Sequence, residues 1–402
     1  MRIALLGHAP ALGGTTDLFV QVRDYFQQRG HEVHSIFGSG ASPVDPRVKD
    51  AAILQSPATS WRDKMRDYVS LVESFHPDIA YNISGPYEMD LLRFLKCVRV
   101  RHASTLEQHG FANAPFWLSN YRAYIEACTA NTPDAVEEVA RYSGRPTFLL
   151  PYRLPEIDSS CAAHQIPEHV DPAKPVEVAF VSRLEMLQKR AHWLPKIVRR
   201  SRQLGANLQW HIYGDGPEGP ALRRDLAQTG NVTFHGWMDR ANLYQRLPQH
   251  DLLFFCSRWE GLPIAMVEAM RCGLACVAPD IPTGIHWTLS QGGGWLYQAR
   301  SPEAAAKALV EATRNRELLL HKRREALRLS AELFSPSLVE EQYLQLEAAL
   351  LKLTFNGQVL NPATAAKFRL VQLSDYGARF GYALEKIAHN PGWIFSKLMG
   401  KR

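Results

Sequence analysis

Short apolar runs alternate with amphipathic stretches along nearly the whole chain. Ile3–Leu6 reads as a buried strand. Leu18, Phe19, Val22, Tyr25 and Phe26 then recur with the spacing of one helical face, and Arg29-Gly30 stops that helix before Glu32–Phe37 returns as a strand. Further strands are predicted at Ile79–Ile83, Ala103–Leu106, Ala127–Ala130 and Thr147–Leu150. Alternation of this kind calls for a parallel sheet with helices on both faces. Between Pro151 and Pro175 the pattern lapses, with prolines at 151, 155, 167, 172 and 175 among polar residues, so 152–175 is predicted to be a linker. Strands then resume at Val176–Val181, Leu208–Tyr213, Val232–Phe234, Leu252–Cys256 and Cys276–Ala278, with helices over His192–Arg202, from Pro220 and from Pro263. The result is two Rossmann-like halves, and the predicted ligand site lies in a cleft between them, beyond the carboxyl ends of the strands.

Composition narrows the possibilities. A chain of 402 residues suggests two or three domains, and 46% hydrophobic with 21% charged residues is ordinary globular usage. The net charge of +6 is unevenly placed. Lys367, Arg369, Arg379, Lys386, Lys397, Lys401 and Arg402 face only Asp375 and Glu385 in the last stretch, so residues 1–366 are nearly neutral. A body without a basic face argues against nucleic-acid binding. The six cysteines form no C-x-x-C pair and are read as reduced thiols of a cytoplasmic protein, with no metal site among them. No apolar run approaches the roughly 18 residues of a spanning helix, and His8 breaks the opening apolar run too early for a signal peptide.

The densest chemical signal is Ser257-Arg258-Trp259-Glu260-Gly261-Leu262-Pro263-Ile264-Ala265-Met266-Val267-Glu268-Ala269-Met270. Pro263 suits the first turn of a helix and Gly273 its end. Glu260 therefore lies in the loop before the helix and Glu268 within it, with the N–H groups of Gly261 and Leu262 between them. That is an anion site flanked by two carboxylates, whose natural partners are ribose or sugar hydroxyls. Each carboxylate also has a plain reading, as a helix-entry charge or a solvated face.

At this stretch the sequence resembles glycosyltransferase family 4, a retaining, nucleotide-sugar-dependent family of the GT-B fold, and the resemblance extends over residues 1–350. The run from Glu260 to Met270 matches its E-x7-E motif. Val181-Ser182-Arg183-Leu184 with Lys189 resembles the element that holds the donor diphosphate. Tyr213-Gly214-Asp215-Gly216-Pro217 resembles its G-D-G-P turn, and Phe234-His235-Gly236 the F-x-G near the nucleobase. Gly13-Gly14 before an amphipathic helix, Gly30-His31-Glu32-Val33, Gln108-His109-Gly110 and a closing helix over Glu340–Leu346 also fit. The resemblance implies an α/β GT-B enzyme with two Rossmann-like domains whose parallel sheets face each other across a cleft. Residues 1–151 would form the acceptor domain, 176–350 the nucleotide-sugar domain, and 351–402 a basic amphipathic extension.

The implied reaction moves a sugar from a nucleotide-diphosphate donor to a glycan or glycolipid hydroxyl, in cell-surface polysaccharide or lipopolysaccharide synthesis. Arg183 and Lys189 would bind the leaving diphosphate, assisted by Gly261, Leu262 and Gly14. Glu268 would hold ribose hydroxyls. Glu260 would orient the transferred sugar, and His109 would lie near the reacting carbon. Gly214 and Gly236 would shape the nucleotide loops. Two cations and a helix start can stabilise diphosphate charge without a metal, no D-x-D pair is present, and no cofactor is expected.

Other readings stay open. Gly214-Asp215-Gly216-Pro217-Glu218-Gly219 spells G-x-G-x-x-G after a strand, with Asp239 as a ribose carboxylate, the pattern of an NAD-dependent oxidoreductase. The sequence also departs from the family: Tyr152-Arg153-Leu154-Pro155 replaces N-G-x-D, and Trp287 stands where a Glu is expected, which allows a catalytically silent binding protein. His235 is read as a loop residue, and the thirteen histidines besides it and His109 as structural. In the tail, Ile394, Phe395, Leu398 and Met399 share a face near Trp393, flanked by Lys397, Lys401 and Arg402. Residues 390–402 suit either an interfacial helix on an anionic membrane or a segment packed back on the N-terminal domain, and Arg93, Lys96, Arg99 and Arg101 either face that membrane or form a solvated helix face.

Overall fold

A computed structural model describes residues 1–41, 44–56, 61–83, 101–105, 122–154, 166–169 and 171–355. These fall into two compact units, one built on residues 1–104 and the other on 127–352. The alternation read along the chain is realised in both.

In the first unit β1 (Arg2–Gly7) pairs in parallel with β2 (Glu32–Phe37) on one side and β4 (Ile79–Asn82) on the other. The two-residue β3 (Ala52–Ile53) extends the β2 edge, and β5 (Arg101–Thr105) lies beyond β4, giving the order β3-β2-β1-β4-β5. Helix α1 (Gly14–Gln28) buries Leu18, Phe19, Val22, Tyr25 and Phe26, the face that the periodicity predicts. Gly30 ends it at a φ of 81°, in the left-handed region that glycine tolerates. Helix α2 (Trp61–Glu73) packs Tyr68, Val69 and Val72 against Leu6, Ile36 and Ala80. Arg101, taken with the basic stripe, lies on a strand and not on a helix. Its guanidinium donates to the carbonyls of Asp78 (2.9 Å) and Leu353 (2.6 Å).

The second unit holds β6 (Ala127–Ala130), α3 (Pro133–Ser143) and β7 (Thr147–Leu149), with β6 and β7 parallel. Its main sheet contains β8 (Val176–Val181), β9 (Leu208–Tyr213), β10 (Val232–Gly236), β11 (Leu252–Phe254), β12 (Ala275–Pro279) and β13 (Gly294–Tyr297). All pairings are parallel, in the order β10-β9-β8-β11-β12-β13. The order reverses direction between β8 and β11, the crevice where open α/β sheets bind ligands.

Helices α4 (Leu194–Gln203), α5 (Gly219–Leu226), α6 (Arg240–Arg246), α7 (Ile264–Arg271) and α8 (Gly284–Leu289) connect these strands. Helices α9 (Pro302–Arg314), α10 (Arg316–Leu333) and α11 (Pro336–Lys352) follow, α11 containing the predicted closing segment. Arg153 ties to α11 through Glu340 at 3.2 Å. Val176, Val178, Phe180, Trp210, Ile212 and Phe254 fill the core on one face of the sheet.

Two predictions are corrected here. His235 is on strand β10, where it accepts or donates at 3.0 Å to His211, and is not a loop residue. Pro263 is the N-cap of α7, one position before the helix proper. Cys128, Cys256, Cys272 and Cys276 are buried free thiols. No helix among the described residues is long and apolar enough to cross a membrane. The tail at 390–402 and the positions Arg93, Lys96 and Arg99 lie outside the described residues.

Candidate active site

The site is built at the carboxyl ends of β8 and β11, which are neighbours in the sheet. After β8 the chain turns through Arg183 to Lys189. Glu185 shapes this loop, its carboxylate accepting from the N–H groups of Leu187 (2.8 Å), Gln188 (2.9 Å) and Lys189 (2.7 Å). Three short bonds to one side chain hold the loop in a single turn and fix the point from which Lys189 projects. Arg183 is exposed and makes no ion pair among the described residues.

After β11 the chain runs through Trp259 to Pro263. Glu260 is only 6% exposed, and Lys189 Nζ donates to its Oε1 at 2.6 Å. Gln188 Nε2 donates to the Trp259 carbonyl (3.3 Å) and lies 3.5 Å from Glu260 Oε2, while Arg258 N–H donates to the Gln188 carbonyl at 2.7 Å. Beneath them the Cys256 thiol donates to the Lys189 carbonyl at 3.2 Å, and burial pushes its titration well above the ordinary thiol range. Two loops read separately in the sequence are thus one structure.

Gly261 and Leu262 precede α7, and their N–H groups meet no backbone carbonyl among the described residues. Two contacts set their position. A Cβ on Gly284 would come 2.7 Å from the Leu262 Cα, so only glycine admits the close approach of α8. Tyr152 donates its hydroxyl to the Leu262 carbonyl at 2.7 Å in a buried setting. Nothing in the local sequence assigns Tyr152 a role, since it stands where the family pattern fails; only the fold brings it under this loop. Trp287, at the expected Glu position, is half-buried on α8 and meets Phe334 edge-on at 6.3 Å.

Glu268 lies on α7 and is also 6% exposed. It accepts from Arg240 Nε at 2.6 Å and from the Tyr244 hydroxyl at 3.2 Å, both on α6. Burial and the adjacent carboxylate push the Tyr244 phenol well above its ordinary range, so it serves as a neutral donor. Neither α6 residue was singled out from sequence.

Gly214 and Gly236 meet directly, the Gly214 N–H donating to the Gly236 carbonyl at 2.7 Å. Gly214 has a φ of 130°, and any Cβ there would overlap the Ser182 carbonyl oxygen. Its glycine is required by the loop carrying Arg183. Asp239, the ribose candidate of the dinucleotide reading, caps α6 by accepting from the Asn242 N–H at 2.9 Å, and these bonds hold its carboxyl below the usual range. Gly14 is the first residue of α1, in the other unit. His109 lies outside the described residues. Among the described residues no three side chains of His, Cys, Asp or Glu converge on a possible metal position.

Residues 175–315 match the family described as Glycosyl transferases group 1. The UDP-N-acetylglucosamine–peptide N-acetylglucosaminyltransferase GtfA subunit of Streptococcus pneumoniae is 26% identical over 166 residues, 41% of this chain and 32% of that protein. The lipopolysaccharide 1,6-galactosyltransferase of Salmonella typhimurium is 30% identical over 131 residues, 31% of this chain and 36% of that one. The chain thus aligns with about a third of the length of these two relatives. The structure of HepE from Anabaena, in complex with UDP and glucose, superposes with a TM-score of 0.66 at 14% identity, over 87% of this chain and all of that one. The fold is GT-B.

Proposed function

We propose that this protein is a glycosyltransferase that moves a sugar from a nucleotide-diphosphate donor to a glycan or glycolipid hydroxyl. The observation that carries the reading is the placement of Arg183, Lys189 and Glu260 on two interlocked loops at the β8/β11 crevice, inside the segment that matches the glycosyltransferase family. In the relatives, one name specifies transfer to lipopolysaccharide and one structure holds UDP with glucose, which supports a nucleotide-sugar donor and a cell-surface glycan acceptor for this chain.

On this reading residues 176–350 bind the donor, 152–175 form a linker, and 1–151, made of the first unit together with the β6-α3-β7 segment, bind the acceptor. Breaking the anomeric C–O bond leaves its electron pair on the diphosphate. Arg183 and Lys189 meet that charge, with the N–H groups of Gly261 and Leu262 as further donors. Lys189 exchanges part of its bond to Glu260 for phosphate, which frees the Glu260 carboxylate to hold the transferred sugar and to face positive charge at the anomeric carbon. Glu268 holds ribose hydroxyls. His109 acts from the acceptor domain. The reaction proceeds with retention and without a metal, the leaving phosphate oxygen taking the acceptor proton. The enzyme works in the cytoplasm, and its basic segment 390–402 holds it at an anionic membrane.

A thermal-shift screen of UDP-, GDP- and ADP-sugars in EDTA, followed by transfer assays, tests the donor reading. Stabilisation by one of them and roughly hundredfold loss of transfer in folded R183A support it. Stabilisation by NADH alone would replace it with the oxidoreductase reading, and donor binding without hydrolysis or transfer with a silent binding protein. Liposome flotation of the full chain against one ending at residue 366 tests the tail, and equal binding by both removes its role.

A further inference from the structure

The chemistry assigned above to Glu268 depends on a group outside the motif. Glu268 is nearly enclosed, and a carboxylate taken out of water is strongly disfavoured unless a cation and hydrogen bonds replace the water. Both come from α6. Arg240 and Tyr244 are four residues apart, hence on one helical face, and both donate to the same oxygen, Oε1.

Arg240 is also the first residue of α6, where the helix dipole disfavours a cation. Helix propensity does not explain an arginine there, and its bond to Glu268 does. The Asp239 cap, three residues after Gly236, fixes where α6 begins, so the guanidinium is held by the same turn that forms the nucleotide loop.

Resting on the donor reading, we infer that Arg240 is the positioning residue for ribose recognition. By fixing Oε1, Arg240 and Tyr244 hold the Glu268 carboxylate in one rotamer, oriented to accept from the ribose hydroxyls of a nucleoside diphosphate. Arg240 acts through Glu268 and sets discrimination between ribose and deoxyribose. It takes no part in the sugar transfer itself.

The test is the ratio of dissociation constants for 2′-deoxy and ordinary nucleoside diphosphate, measured calorimetrically with UDP, GDP and ADP and the deoxy form of whichever binds. A hydroxyl donating to a carboxylate gives wild type a ratio of at least about tenfold. E268Q and R240A are expected to bring it below about threefold. R240K, which keeps a charge and protects the fold where alanine does not, is expected to fall between. The diphosphate contacts are unchanged in these variants, so affinity for inorganic pyrophosphate stays at the wild-type value. A wild-type ratio in folded R240A or R240K overturns the inference even if its Tm falls, because a merely structural role lowers Tm alone. A wild-type ratio near one overturns it as well, with the donor reading intact. Failure of wild type to bind any nucleoside diphosphate overturns the donor reading itself, and this inference with it.

Discussion

Lys189 and Glu260, seventy-one positions apart, form a 2.6 Å ion pair that joins the loops leaving two adjacent parallel strands. Glu260 is almost fully enclosed, whereas Lys189 keeps 21% of its side chain exposed. The carboxylate depends on the ammonium more than the reverse. On the proposed donor reading, a diphosphate arriving at Lys189 draws the ammonium from Glu260 at the moment that the carboxylate is needed.

This asymmetry makes the pair measurable. K189A leaves a buried carboxylate without its cation and is expected to cost about 1–3 kcal/mol, less than for a fully buried pair because Lys189 is partly solvated. The double variant K189A/E260Q removes both charges and is expected to recover part of that loss. Urea unfolding of the single and double variants reads the coupling. Additive losses would mean that the two side chains contribute independently.

Tyr152 supports the Gly261-Leu262 loop through one buried hydrogen bond. Y152F keeps the ring and strands the Leu262 carbonyl, at a cost of about 1–2 kcal/mol. On the proposed reading that loop offers N–H groups to the donor diphosphate, so the donor KM is expected to rise several-fold with kcat changed less. Steady-state kinetics with varied donor decide this; an unchanged KM removes the link between Tyr152 and the donor.

Acid is expected to destabilise the second unit through a histidine cluster. His250 accepts or donates at 2.8 Å to the Tyr213 hydroxyl and stacks at 4.5 Å on His211, which bonds to Glu177 at 2.8 Å and to His235. Burial, with His211 nearby, lowers His250 to about 4 from an ordinary 6.5, and burial lowers His235 as well. The unfolded chain thus takes up a proton near pH 6.5 that folded His250 refuses until about pH 4. The stability it contributes is complete above pH 6.5 and is lost as pH falls through that window, by about 2 kcal/mol at pH 5. Unfolding at pH 7 and pH 5 should show this loss, and H250N should reduce it. An equal slope in H250N would place the acid sensitivity elsewhere.

G214A is expected to prevent folding or to cost at least about 3 kcal/mol. It combines a positive φ with a Cβ far inside van der Waals contact with the Ser182 carbonyl oxygen, and backbone on both sides cannot move aside. G230A is the control: its φ is also positive, at 70°, but nothing lies within 4 Å of the new Cβ, so about 1 kcal/mol is expected. Comparable losses in the two would show that strain alone, without the clash, governs Gly214.

Local pattern alone determined a great deal about this chain. The strands and the apolar face of α1 follow from periodicity, because burial on one face or both imposes a repeat that any fold must respect. The Glu260-to-Met270 run stood out because its short spacing fixes how residues sit around one turn, whereas Arg183 and Lys189 were singled out by the family resemblance. The two-residue β3 and the strand β13 escaped, being too short or too glycine-rich to show a period. His235 was misplaced because a histidine beside a glycine carries a turn signal locally and a strand partner only across the sheet.

What tertiary structure alone decided is which distant residues share a carboxylate. Glu260 meets Lys189, Glu268 meets Arg240 and Tyr244, and Leu262 meets Tyr152 because parallel strands set side by side bring together loops from different crossovers. Such partners lie dozens of positions apart and leave no period in the sequence. Buried charge then makes each meeting obligatory, since an enclosed carboxylate is stable only where the fold delivers its cation.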